Sequence, residues 1–136
     1  MGKTVALVDL DREAAELWRS LPSGAVVWLS GEMGAGKTAL AQAIARVAGA
    51  EPARSPTFAL VHEYASPEGV IAHVDCYRLR DPEEARDLDL AELAARSRLT
   101  LIEWPERAGR HAPAPLMHLR LSHGPAPARR HLELVS

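Results

Sequence analysis

Eight consecutive residues, Gly31-Glu32-Met33-Gly34-Ala35-Gly36-Lys37-Thr38, constrain this chain more than any other feature. They fit the pattern of Gly, four residues, then Gly-Lys-Ser/Thr, which marks a phosphate-binding loop when it joins a strand to a helix. That context is present. Ala25-Val26-Val27-Trp28-Leu29 is a continuous apolar run, as expected of a strand buried on both faces of a parallel sheet. Lys37 to Ala48 carries Leu40, Ile44 and Val47 at helical spacing and stops at Gly49, a natural helix terminator. Glycines let successive backbone N–H groups turn inward around an anion, and the helix adds its positive end to the same phosphates. Lys37 then supplies charge to the β and γ phosphates, and the Thr38 hydroxyl is placed to ligate Mg²⁺. The dinucleotide pattern GxGxxG does not occur between Ser30 and Gly36.

The remaining segments alternate in type. Thr4 to Val8 reads as a short edge strand, and Asp11 to Leu21 as a helix with Ala14, Leu17, Trp18 and Leu21 on one face. Phe58 to Tyr64 and Val70 to Asp75 read as strands joined by the turn Ser66-Pro67-Glu68-Gly69, which predicts an antiparallel hairpin. Asp81-Pro82-Glu83-Glu84 has the order of N-cap, proline and first-turn acids, predicting a helix from Pro82, with a second over Asp89 to Arg96. Leu99 to Ile102, Met117 to Leu121 and His131 to Val135 complete the strands. The expected fold is α/β, a three-layer P-loop NTPase-like domain with a mixed, largely parallel sheet. With 136 residues, no internal repeat and no long linker, residues 1–136 are expected to form a single P-loop ATPase domain.

Composition narrows the function. The chain is 47% hydrophobic and 25% charged, which excludes a disordered or fibrous protein. No apolar run reaches the roughly 18 residues of a membrane span, and the N-terminus lacks a signal-peptide pattern, so the cytoplasm is the expected location. Cys76 is the single cysteine, and the histidines have no metal-ligand spacing, which argues against zinc or disulfide chemistry. Fourteen of the sixteen basic residues are arginines; acids crowd Asp81 to Glu92, whereas Arg107 to Leu132 has none. The acidic run reads as a solvated helix face or a docking surface. Aromatics are only 4%, so any RNA contact is expected to be shared with a partner.

Two apolar strands end in a carboxylate, at Asp75 and at Glu103. An acid at such a strand end, beside a phosphate loop, can bind Mg²⁺ directly or through water, or orient an attacking water. A solvated strand-end acid is the plain alternative for each. His73 reads as a core histidine or a support behind the site rather than a base. Trp18 and Trp28 read as core, and Trp104 as a lid over the nucleotide. The chain has no asparagine and no DxxG, which excludes Ras-type GTP recognition. A small-molecule kinase and a nucleotide-gated binding module remain as alternatives to an ATPase.

The loop Gly31 to Thr38, Ser55-Pro56-Thr57-Phe58 running into Leu60 to Tyr64, His73-Val74-Asp75-Cys76-Tyr77-Arg78-Leu79, and Ile102-Glu103-Trp104-Pro105-Glu106-Arg107 together resemble the bacterial TsaE family, also called YjeE. The resemblance implies a small ATPase, with ATP and Mg²⁺ as cofactors, required for threonylcarbamoyladenosine at position 37 of tRNA. It implies TsaB and TsaD as partners, with tRNA met indirectly through that complex. By position, Thr38 and Glu103 would hold Mg²⁺, while Lys37, Asp75 and Glu103 would be the catalytic set. Nucleotide contacts would come from Glu32, Met33, Gly34, Ala35, Gly36, Lys37, Thr38 and Ala39, with Thr57, Trp104 and Arg130. Thr57 would lie in a switch near the γ phosphate. The chain departs from the family in having Glu32-Met33 where Asp-Leu is common, and Ala39 where a second hydroxyl residue is common.

Overall fold

The computed structural model describes residues 2–52, 60–126 and 128–135. Ser55 to Phe58, including Thr57, therefore lie outside the described residues. Among the described residues, eight strands form one sheet: β1 (Gly2–Ala6), β2 (Ala25–Ser30), β3 (Glu51–Pro52), β4 (Val61–Ser66), β5 (Gly69–Asp75), β6 (Leu99–Glu103), β7 (Met117–His123) and β8 (Arg129–Leu134). Their spatial order is β1-β8-β7-β2-β6-β5-β4-β3. The apolar strands take the middle, where β7, β2, β6 and β5 run parallel, and both flanks turn antiparallel. Every residue of β6 is buried, as a strand covered on both faces requires.

Among the described residues three α-helices cover the sheet: α1 (Leu10–Ser20), α2 (Lys37–Val47) and α3 (Leu90–Arg96). On one face Ala14 and Trp18 of α1 and Leu40 and Ile44 of α2 pack against Val27, Leu29, Leu99, Leu101 and Leu119. On the other, Leu90, Leu93 and Ala94 of α3 pack with Leu79 and Ala85 against Val26, Val74 and Ile102. The three layers follow from the alternation along β2 and β6, which sends successive side chains to opposite cores. Leu40, Ile44 and Leu101 are essentially inaccessible, and truncating such a side chain to alanine costs about 2–5 kcal/mol.

Several sequence expectations are adjusted. The edge strand runs from Gly2 to Ala6: Leu7 N–H still continues the pairing by donating to Ala128 O (2.9 Å), and a 3-10 helix, Leu7–Asp9, then carries the chain off the sheet. The predicted helix from Pro82 is a 3-10 helix, Pro82–Leu88, although its cap is as read: Asp81 accepts from Glu83 N–H, and Glu84 accepts from Asp81 N–H. The Ser66–Gly69 turn does close an antiparallel hairpin. Trp18 is core, but Trp28 is only half-buried and its indole N–H donates to Pro113 O at 2.9 Å.

Candidate nucleotide site

The parallel strands bring their carboxyl ends together beside the start of α2. The loop between β2 and α2 is held tightly against β7. A β-carbon on Gly31, at φ +139°, would lie 2.1 Å from Leu121 O, so no side chain fits there. Gly36, at φ +107°, turns the chain into α2, and Leu40 N–H already donates to Gly36 O (2.8 Å). The first-turn N–H groups of α2, from Lys37 to Ala39, thus begin where the loop ends, the arrangement that suits an anion. Glu32 and Ala35 shape the loop through their backbones, with Ala35 N–H donating to Glu32 O at 3.1 Å.

Lys37 is 5% exposed. Its ammonium donates to Gly31 O and to Glu32 O, the latter at 2.9 Å, and lies 4.8 Å from the centre of the Trp104 ring. The charge is therefore satisfied within the loop itself and available for exchange onto a phosphate. Trp104 sits at φ +55°, ψ +51°, the left-handed region that a non-glycine residue rarely takes. That turn folds its ring back over the loop lysine. Tyr77 packs on Trp104 with ring centres 5.1 Å apart, and the Arg107 guanidinium covers both rings.

The two strand-end acids occupy one row. Asp75 and Glu103 are register partners in the parallel pair β5–β6. Glu103 is 3% exposed, and its Oε2 accepts from the Thr38 hydroxyl (2.8 Å) and pairs with His73 Nε2 (2.5 Å). Burial by itself would raise the Glu103 carboxyl; the His73 hydrogen bond and charge, the Thr38 hydroxyl and the Lys37 ammonium outweigh it and hold the group below its ordinary value. Asp75 is half-exposed and accepts from Tyr77 N–H at 3.0 Å. Cys76 between them is fully buried, its thiol pushed up to about 12 by burial and by the neighbouring acids Asp75, Glu106 and Glu103.

These groups surround a cleft of about 410 Å³. Met33, Gly34, Gly36, Lys37, Thr38 and Ala39 form its loop side, and Asp75, Glu103 and Trp104 its strand-end side. Arg130 of β8 also lines it, and so do Leu7 and Tyr77, which were not among the expected contacts. Leu7 carries no motif. It reaches the cleft because β1 pairs with β8, with Ala6 beside Arg129, a long-range pairing invisible to local patterns. Tyr77 stands two residues after Asp75, and that nearness is the signal that would have found it. Thr38 and Glu103 supply hard oxygen donors 2.8 Å apart, the kind Mg²⁺ takes when phosphates and water complete its shell. The donor set fits the metal.

Residues 6–131 match the family described as "Threonylcarbamoyl adenosine biosynthesis protein TsaE". The chain is 41% identical over 98 residues to a Rickettsia bellii protein named tRNA threonylcarbamoyladenosine biosynthesis protein TsaE, covering 71% of this chain and 67% of that one. A Haemophilus influenzae protein of the same name is 39% identical over 83 residues, covering 60% of this chain, and there the match spans about half (52%) of the relative's length. The crystal structure of Bacillus subtilis YdiB superposes with a TM-score of 0.78 over 98% of this chain and 83% of that one, at 21% identity, a likeness of fold. Four motifs in order, a phosphate loop set against two strand-end acids and a family match across nearly the whole chain lead to one assignment: this chain belongs to the TsaE family of threonylcarbamoyl adenosine biosynthesis proteins.

Proposed function

We propose that this chain, as one P-loop domain in the cytoplasm, is a Mg²⁺-dependent ATP hydrolase acting with TsaB and TsaD in forming threonylcarbamoyladenosine on tRNA, which it meets through that complex. The observation that carries the reading is the Thr38 hydroxyl resting on buried Glu103 directly below the phosphate loop. Lys37 leaves the loop carbonyls for the β and γ phosphates, where its charge counters the negative charge that builds up in transfer. The N–H groups of Gly34 to Ala39 cradle the same phosphates. Thr38 and Glu103 would hold Mg²⁺, which when bound neutralises phosphate charge and orients the leaving group. Asp75, half-exposed at the neighbouring strand end, would orient an attacking water. Trp104, with Tyr77 and Arg107 stacked on it, limits solvent access from the lysine side. By the family resemblance alone, Thr57 would lie in a switch segment near the γ phosphate.

The family name supports the pathway. Reconstituted tRNA modification with TsaB, TsaD and a threonylcarbamoyl donor tests this. Sustained turnover is expected with the chain and ATP, and its loss when only this chain is omitted. Equal product with and without it contradicts the proposal.

A further inference from the structure

We propose that His73 is a positioning residue that fixes the Glu103 carboxylate in the one orientation that serves Thr38 and the metal. The inference rests on the reading of Glu103 as the metal-facing acid. β5 and β6 run parallel with Asp75 beside Glu103, so His73, two residues before Asp75, lies one step back on the same face of the sheet. That diagonal brings Nε2 to 2.5 Å from Oε2, with His73 4% and Glu103 3% exposed. On its other side His73 is the register partner of His62 in β4, the two rings 6.0 Å apart and tilted by 31°. The imidazole is thus fenced between a neighbouring ring and the carboxylate, on a covered strand where it has little room to turn.

Thr38 donates to the same oxygen, out of α2. With two donors on Oε2, one from the sheet and one from the helix, the carboxylate cannot rotate without losing both. Oε1 is thereby left for the metal's hydration shell. A ligand held this way by an outer partner loses metal affinity when that partner is removed, by about 10–100-fold in characterised sites. Merely filling the core would require shape from His73 but not an N–H at the Nε2 position.

The test compares His73→Leu, His73→Gln, His73→Asn and Glu103→Gln in the full chain. Calorimetry measures affinity for a non-hydrolysable ATP analogue with and without Mg²⁺, and circular dichroism measures Tm. A glutamine amide reaches the Nε2 position, whereas asparagine falls short of it. The ratio of affinities with and without Mg²⁺ is expected to fall about 10–100-fold in His73→Leu and His73→Asn, and to recover to within about 3-fold of the parent in His73→Gln. If His73→Leu does not fold, the Gln and Asn variants decide: equal Mg²⁺ ratios in the two overturn the proposal. A lowered Tm with the parent's Mg²⁺ ratio in all three also overturns it, leaving only a packing role. If Glu103→Gln itself keeps the parent's ratio, the metal-facing reading of Glu103 fails, and this inference fails with it.

Discussion

The ends of β5 and β6 lie side by side in one row of the sheet, and each delivers a carboxylate, yet the two acids meet opposite surroundings. Glu103 is closed in beneath α2, with donors from the helix and from the adjacent strand on one oxygen. Asp75 stands half-exposed and accepts a backbone N–H from the turn that follows it. The same sequence signal, an apolar strand ending in an acid, therefore gives two environments, and what differs is the element packed above. α2 starts directly over β6, and the chain after β5 turns outward through Tyr77. A buried carboxylate held by preset donors is suited to a fixed charge, and an exposed one to contact with water.

The largest effect separating the two acids is on turnover. Glu103→Gln, which keeps shape and removes charge, is expected to lower Mg²⁺-dependent phosphate release by about 100-fold or more, on the scale of losing a preset electrostatic contact. Asp75→Asn is expected to lower it by about 10-fold, the low end for a group that assists a proton or water. A larger loss in Asp75→Asn than in Glu103→Gln would break the comparison by exchanging the roles.

Stability separates them next. Glu103→Leu strands the His73 and Thr38 donors in the interior and is expected to cost about 1–3 kcal/mol in urea unfolding. Asp75→Asn is expected to stay within about 0.5 kcal/mol, as surface changes do. Equal losses would mean that the β5 end is as firmly packed as the β6 end.

Acid titration sharpens the difference further. The folded Glu103 carboxyl lies below its ordinary value of 4.5, so its ionised form contributes stability that is fully present above that value. The contribution is lost as pH falls through the folded value. Tm of the parent is therefore expected to drop more steeply below pH 4.5 than that of Glu103→Gln; parallel curves would show that the His73 and Thr38 contacts do not favour the charged form.

A further difference concerns Cys76, which joins the two ends by donating its N–H to Glu103 O at 3.0 Å. Buried and with its thiol pushed up to about 12, it is expected to react with an aromatic disulfide reagent at pH 8 about 100-fold or more slowly than in the unfolded chain. Labelling at the unfolded rate would mean that the β5 end opens freely.

How legible each feature was depends on how far apart in sequence its parts lie. The phosphate loop, its strand and its helix occupy residues 25–47 without interruption, so local pattern sufficed. The hairpin from Val61 to Asp75 was equally local. The helix expected at Pro82 shows the limit of a good local signal: the Asp81 cap forms as read, but a cap does not set the hydrogen-bond period, and the segment ends after seven 3-10 residues at Asp89, where φ is +47°. Pairings across the sheet were not legible. Leu7 enters the cleft through the contact of β1 with β8. The bond from His73 to Glu103 needs the parallel register of β5 and β6, thirty residues apart, so sequence placed His73 behind the site without naming the group it touches.

In the proposed function, the loop Gly31 to Thr38 binds and spends ATP phosphates through Lys37. Phosphate release from ATP, with and without Mg²⁺, by the parent and by Lys37→Ala tests it most directly, with circular dichroism and Tm confirming that both are folded. Mg²⁺-dependent release by the parent and a loss of about 100-fold or more in a well-folded Lys37→Ala is the expected result. A well-folded Lys37→Ala that releases phosphate at the parent's rate would contradict the account.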